Sequence, residues 1–247
     1  MHELVFIAYS PWSMRARLAL DAQGVPWKGR PYIPQISEPG LRWRLKQLTG
    51  KVTTPVLFPD DGPALTDSFD IAAWAAARSA RPLITPENRA QVEAFNELAN
   101  RALEAGRIRT TRRVRADADA LRESLPPPVR ALGPIGLAIG RKASGDLISK
   151  YAVGDNSDES MLVEMRLALT KLADALEGRD WLLGEFSYAD ITAAASLSFV
   201  KPHESTPLGP RSRALWTEDA LAHEFSEVLT WRDRAVAEAK SRRPVRA

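Results

Sequence analysis

The chain has 247 residues, is 45% hydrophobic, carries a formal net charge of +3 and contains no cysteine. That length accommodates one large domain or two smaller ones with real cores, and the missing cysteines exclude disulfides, a cysteine nucleophile and thiolate metal sites. The small positive charge suggests a nucleic-acid partner only weakly, and with arginine outnumbering lysine 26 to 8 no single arginine gains functional weight from its type alone.

Leu4-Val5-Phe6-Ile7-Ala8 is a nearly continuous apolar run of the kind that forms a buried strand. A helical pattern follows, with Met14, Leu18 and Ala22 on one side, and Gly24-Val25-Pro26 stops it. Ser10 thus lies at a strand-to-helix turn. The unpaired N–H groups of the helix's first turn favour an anion there, and a thiolate is an anion. Trp27 to Ile33 reads as a second strand, with Pro31 pointing to a sheet edge. Leu41, Leu45 and Leu48 predict a short helix ended by Gly50. Pro55 to Phe58 reads as a third strand, Pro59-Asp60-Asp61-Gly62 as a hairpin turn and Ala64-Leu65-Thr66 as the returning strand. Ile71, Trp74, Ala75 and Arg78 continue as a helix.

Arg81-Pro82-Leu83-Ile84-Thr85-Pro86 reads as a linker, and beyond Glu87 the patterns are helical. Val92 to Leu103 recurs at helical spacing and continues to about Ala116. Pro126-Pro127-Pro128 breaks the pattern, Ile135 to Tyr151 resumes it, and Gly154-Asp155-Asn156-Ser157 reads as a turn. Met161, Met165, Leu169 and Leu172 form the core stripe of an amphipathic helix that Gly178 ends. Ser187 and Asp190 form a capping box, with Phe186 and Ile191 at the staple positions. The apolar helix to Val200 is expected at the buried centre of the helical region, and loss of its cap is expected to cost about 1 kcal/mol. Lys201 to Leu215 reads as a loop, and Leu221, Phe225, Val228, Leu229 and Trp231 as the start of a last helix.

Four motifs point to one family. Ser10-Pro11-Trp12-Ser13 resembles the Cys-Pro-x-Cys of glutaredoxins with serine at both cysteine positions. Thr53-Thr54-Pro55-Val56-Leu57 resembles the turn in which a cis-proline opens the third strand of a thioredoxin fold. Thr66-Asp67-Ser68-Phe69-Asp70-Ile71 resembles the acidic-serine pair that holds the γ-glutamyl end of glutathione, and Phe186 to Ile191 the capping box of a glutathione transferase helical domain. In this order, over nearly the whole chain, they resemble the glutathione transferase superfamily. The resemblance implies a composite fold, α/β plus all-α. A thioredoxin-like βαβ-α-ββα domain would span residues 1–80, a linker 81–86 and a glutathione-transferase-type helical bundle 87–247.

It also implies a serine-type enzyme that uses glutathione as co-substrate and no metal. Ser10 would stabilise the glutathione thiolate, with a plain helix cap as its other reading; Ser13 and Tyr9 are alternatives, although strand alternation would turn Tyr9 away from Ser10. Thr54 and Pro55 would pair with the cysteinyl part, Asp67 and Ser68 would hold the γ-glutamyl group, and Lys51 would meet the glycyl carboxylate. Trp12 would floor the pocket for a hydrophobic or acidic electrophile. Asp67 stands where the family more often has glutamate. Arg15 reads as structural, bridging its helix to the other domain. The arginines at 101, 107, 109, 112, 113 and 115 read either as solvated surface or as a lining for an acidic substrate. The other expected partners are a small-molecule electrophile and a second copy of the chain, with no membrane and no nucleic acid. The N-terminus lacks a basic flank and long apolar core, so a cytoplasmic location without a signal peptide is expected. A glutathione-dependent isomerase, dehalogenase or lyase is the nearest alternative, and a non-catalytic interaction module of the same fold is the alternative from another class.

Overall fold

The computed structural model describes residues 1–34, 36–151 and 157–243. Its elements run β1 (His2–Phe6), α1 (Pro11–Ala22), β2 (Trp27–Pro31), α2 (Glu38–Leu45), β3 (Val56–Phe58) and α3 (Ser68–Ala76), then α4 (Arg89–Ala116), α5 (Ala118–Ser124), α6 (Pro127–Arg130), α7 (Pro134–Tyr151), α8 (Asp158–Leu176) and α9 (Tyr188–Ser196). A 3-10 turn over Leu197–Phe199 precedes α10 (Pro210–Trp216), α11 (Asp219–Glu224) and α12 (Ser226–Ser241). The chain resolves into two compact units. One comprises Met1–Asn96, Leu183–Ala195 and Arg234–Ala247; the other comprises Glu97–Leu182 and Ser196–Asp233.

In the first unit the strands lie in the order β2-β1-β3. β2 runs parallel to β1, pairing Leu4 with Gly29, and β3 runs antiparallel to it, pairing Val5 with Val56. The side-chain period of two divides the sheet between two cores. Leu4 and Leu57 face Ala16 and Leu20 of α1 and Ile71 and Ala75 of α3. Val5 and Val56 face Leu41 of α2, with Val52 and Tyr32 beside it. β2 is an edge strand, as Pro31 predicts, and stops at that residue rather than reaching Ile33.

The returning strand expected over Ala64-Leu65-Thr66 is reduced to a single antiparallel bridge between Leu57 and Leu65, closed by two N–H···O bonds of 2.9 Å. The register explains why. The next bonded pairs in such a ladder are 55 with 67 and 59 with 63. Pro55, Pro59 and Pro63 occupy three of those four places and have no N–H to donate.

The short helix also departs from expectation. α2 stops at Leu45, where Lys46 turns left-handed at φ 54° and the N–H of Gln47 donates back to the carbonyl of Arg42. That closure uses the last helical carbonyls, and it leaves Leu48 84% exposed instead of on a helix stripe ended by Gly50.

α4, which passes from the first unit into the second at Glu97, and α7 and α8 of the second unit follow their expected spans; α5 forms where the sequence pattern assigns no element, and α8 buries Met161, Met165, Leu169 and Leu172. The expected turn over 154–157 lies, apart from Ser157, outside the described residues; Ser157 caps α8 by accepting from the N–H of Ser160. Two stretches read as irregular contain helices that begin with proline. These are α6, within the proline break, and α10, within the loop expected over 201–215. Proline suits the first helical position because its missing N–H would have no partner there. The expected last helix is two helices, α11 and α12, interrupted at Phe225. Gly106 of α4 lies so close to Phe199 that an added Cβ would stand 2.5 Å from the Phe199 Cβ.

Candidate functional site

The sheet topology gathers the sequence-predicted site motifs. β1 and β3 are antiparallel with Val5 opposite Val56, so the loop after β1 and the Thr54-Pro55 turn before β3 leave the sheet at the same end. The Leu57–Leu65 bridge is antiparallel as well, which returns Thr66 and Asp67 to that end.

Ser10 is the N-cap of α1, in extended backbone at φ −74° and ψ 128°. Its N–H donates to the carbonyl of Ile7 at 3.1 Å, which closes the loop, and its Oγ accepts from the N–H of Ser13 at 3.4 Å. Pro11 occupies the first helical position. Ser10 is half-buried, whereas Ser13 is fully enclosed at 0% exposure. The Ser13 Oγ accepts from the N–H of Ile7 at 3.2 Å, tying the helix back to the loop. β1 ends at Phe6, and Ala8 and Tyr9 form a turn, so strand alternation does not govern where Tyr9 points. Tyr9 is 36% exposed overall, and the partial desolvation of its phenol pushes that group up from its ordinary pKa. Trp12 is half-buried on the first turn of α1.

The Thr54–Pro55 peptide bond is cis, Thr54 is half-buried and Pro55 is buried. Lys51 is exposed, and its carbonyl accepts from the Gln47 side-chain amide at 3.2 Å. Asp67 is the N-cap of α3: its Oδ1 accepts from the N–H of Phe69 at 2.7 Å and of Asp70 at 3.4 Å. Asp67 is exposed, while Ser68, the first residue of α3, is 3% exposed.

Beneath these turns lies a buried polar group that the sequence reading only half anticipated. Arg15 has no solvent exposure. Its guanidinium donates to the Asn96 Oδ1 at 3.5 Å and the Thr192 carbonyl at 3.4 Å, and both residues belong to the same compact unit as Arg15. Burial lowers its pKa to about 10, against the opposing pull of Tyr188 and Asp67. Tyr188, equally buried, donates its hydroxyl to the Ser68 carbonyl at 3.2 Å. Tyr188 sits inside the predicted capping box, but a contact spanning 120 residues leaves no local signature in the sequence. The box itself is formed: the Asp190 Oδ2 accepts from the Ser187 N–H at 2.8 Å and the Ser187 Oγ at 3.1 Å.

The arginines of α4 serve the second unit. Arg109 forks onto Glu218 at 2.7 and 3.3 Å and reaches Asp158 at 2.8 Å. Arg113 reaches Glu218 at 2.7 Å and Arg112 reaches Asp158 at 3.3 Å. Arg107 stacks 3.5 Å from the centre of the Tyr151 ring. Arg101 lines a surface cavity of about 50 Å³ together with Leu98, Glu164, Leu167, Ala168 and Lys171. Substrate pockets run to ~300 Å³ or more. Among the described residues no group of three His, Asp or Glu side chains could hold a metal ion, and no helix is long and apolar enough to cross a membrane.

Fold and local geometry together define a protein built on a thioredoxin-like sheet followed by a helical region. Residues 9–78 match the family described as glutathione S-transferase, N-terminal domain. No curated protein matches the chain significantly. Among solved structures, a glutathione S-transferase from Methylobacillus flagellatus with glutathione bound is 18% identical, with a TM-score of 0.59 and coverage of 99% of this chain and 100% of that one. A glutathione transferase family member from Pseudomonas fluorescens Pf-5 with bound glutathione is 16% identical, with a TM-score of 0.57 and full coverage of both chains. A glutathione S-transferase of Ceriporiopsis subvermispora in complex with glutathione is 18% identical, with a TM-score of 0.61 and coverage of 99% and 98%. At such identities the likeness speaks for the fold. Residues 9–78 thus carry the N-terminal domain of that family, and the chain as a whole shares the fold of these solved structures.

Proposed function

We propose that the protein is a glutathione transferase in which the Ser10 hydroxyl stabilises the glutathione thiolate. The observation that carries this reading is the position of Ser10. It is a half-buried N-cap at the end of the sheet where the cis Thr54–Pro55 bond and the Asp67–Ser68 helix start also lie. The Ser10 Oγ accepts from the Ser13 N–H through a lone pair, which leaves its O–H to donate to sulfur. Ser13 is enclosed and already serves the loop, so Ser10 is the better donor of the two. A free thiol has a pKa of ~8.5 and is mostly protonated at neutral pH. Lowering that value by ~2 units, worth roughly 2.7 kcal/mol, makes the thiolate the dominant form. The thiol proton passes to solvent, the sulfur bonds to the electrophilic carbon, and the displaced group departs or, in an addition, a proton is taken up.

Glutathione would lie with its cysteinyl part along Thr54, its glycyl carboxylate toward Lys51 and its γ-glutamyl group at the start of α3. There Asp67 would meet the ammonium with the oxygen that does not cap the helix, and the helix start would meet the carboxylate. Trp12 would floor the electrophile pocket. Because Arg109, Arg112 and Arg113 already hold carboxylates of their own unit, a hydrophobic electrophile is favoured over an acidic one. The homodimer and the cytoplasmic location are carried over from the superfamily and are read by sedimentation and by cell fractionation.

Glutathione binding measured by calorimetry tests the reading, with wild type beside Asp67→Ala and Ser10→Ala. Wild type is expected to bind in the micromolar to low-millimolar range and Asp67→Ala to lose binding. Ser10→Ala is expected to keep binding while the bound thiol's pKa, followed by thiolate absorbance, rises toward that of free glutathione. A folded wild type that does not bind glutathione refutes the function. An unchanged thiol pKa in Ser10→Ala refutes the role of Ser10.

A further inference from the structure

Tyr188 grips the start of α3 at two adjacent residues. Its hydroxyl donates to the Ser68 carbonyl at 3.2 Å, and its ring meets the Phe69 ring edge-on, with centroids 5.9 Å apart at 68°. Its own backbone is pinned in turn, because its N–H donates to the Leu83 carbonyl at 3.1 Å and the Ser187–Asp190 box fixes the helix end on which it sits. Burial pushes its phenol's pKa far up, with Arg15 opposing, so the hydroxyl remains a neutral donor at any working pH. Ser68 and Phe69 directly follow Asp67, whose side chain accepts from the Phe69 N–H. The tyrosine therefore holds from beneath the same turn whose upper side carries the exposed Asp67. A carbonyl has two lone pairs, so that of Ser68 can serve the α3 ladder and the phenol together.

We propose that Tyr188 is a positioning residue of the thiol site, holding the Asp67–Ser68–Phe69 turn in the geometry that receives the γ-glutamyl end of glutathione. This rests on the glutathione-transferase reading above. Tyr188 does not touch the ligand; it acts through the Ser68 carbonyl. The aligned turn is needed only by the γ-glutamyl group, so the effect of losing the hydroxyl depends on which part of the tripeptide a ligand carries.

Tyr188→Phe removes the hydroxyl and keeps the ring contact with Phe69. The glutathione Kd is expected to rise about threefold to tenfold, and that of γ-glutamylcysteine by the same factor. The rate constant kcat/KM with cysteinylglycine as the thiol, which lacks the γ-glutamyl group, is expected to stay within about twofold of wild type. Ser157→Ala is the control for stability alone: it removes the N-cap of α8 in the other unit, the acceptor of the Ser160 N–H, and it is expected to lower Tm while leaving the glutathione Kd unchanged. The proposal is overturned if Tyr188→Phe leaves the glutathione Kd within about twofold. It is equally overturned if cysteinylglycine loses as much as glutathione, or if Ser157→Ala weakens glutathione as strongly. Wild type is measured first, and failure of wild type to bind glutathione overturns the transferase reading and this proposal with it.

Discussion

Asp190→Ala is expected to destabilise the protein well beyond the loss of an ordinary helix cap. Asp190 has no solvent exposure, and Ser187 is 3% exposed. The Asp190 Oδ2 accepts both from the Ser187 N–H at 2.8 Å and from its hydroxyl at 3.1 Å. At an exposed cap the freed N–H would turn to water, at a cost of about 1 kcal/mol. Here water does not reach it. The orphaned N–H carries its own desolvation penalty of about 1–3 kcal/mol, and the vacated volume adds to it. The sum is about 3 kcal/mol. For a chain of this size each kcal/mol moves Tm by about 2–4 °C, so thermal unfolding followed by circular dichroism at neutral pH is expected to show a fall of about 6–12 °C. Asp190→Asn keeps an oxygen in place for the Ser187 N–H and is expected to lose less than half as much. A fall below about 3 °C for Asp190→Ala, or equal losses for alanine and asparagine, would refute the reasoning.

Gly106→Ala ought to stabilise an exposed helix by about 1 kcal/mol; here the added Cβ would stand 2.5 Å from the Phe199 Cβ and 2.9 Å from its Cγ, so overpacking of about 1–3 kcal/mol wins and Tm falls. A rise in Tm would show that Phe199 yields without cost. Glu3 governs an acid response. Burial works to raise its pKa, but hydrogen bonds and charge from Arg44 and Arg30 prevail and hold it below the ordinary 4.5. A lowered carboxylate stabilises fully above its unfolded pKa, and that stability is lost as pH falls through the folded one. Glu3→Gln is therefore expected to flatten the Tm-versus-pH curve below pH 4.5 and leave its shape above that unchanged. An unaltered acid limb would remove Glu3 from the account.

What was legible in the sequence is what neighbours in the chain decide. Ser10, Asp67 and Ser187 each open or cap a helix through groups within three residues, and each lies where the pattern puts it. The early end of α2 and the helix hidden at Pro210 are also local. A lysine gives no sign in the sequence that it will turn left-handed, and the Gly209-Pro210 pair is a weaker signal than the loop composition around it. The missing fourth strand lies between these cases. The three prolines that forbid the ladder are visible in the sequence, but they matter only once the Leu57–Leu65 register is written down. Contacts across a hundred residues are of another kind. Nothing near Arg109 announces Glu218, and nothing near Ser68 announces Tyr188. An abundance of arginine reads as surface until the carboxylates that hold it are placed.

The two serines of the Ser10-Pro11-Trp12-Ser13 motif look interchangeable as letters, and the fold separates them. One hydroxyl is half-buried at a helix start; the other is sealed beneath it, holding the Ile7 N–H. The chain contains no cysteine, so Ser10→Cys and Ser13→Cys each introduce one thiol whose chemistry can be followed without background. With glutathione disulfide as oxidant, a thiolate at position 10 attacks one sulfur of the disulfide, forms a mixed disulfide with the protein and releases one glutathione thiolate. The helix start lowers the attacking thiol's pKa and speeds the step. Mass spectrometry is expected to show Ser10→Cys gaining one glutathionyl group within minutes and Ser13→Cys remaining unmodified until the protein is unfolded. Equal reactivity of the two would mean that position 13 is reached by ligand. The choice of Ser10 as the thiolate's partner would then lose its physical basis, because it rests on Ser13 being closed to the site and not on the order of the motif.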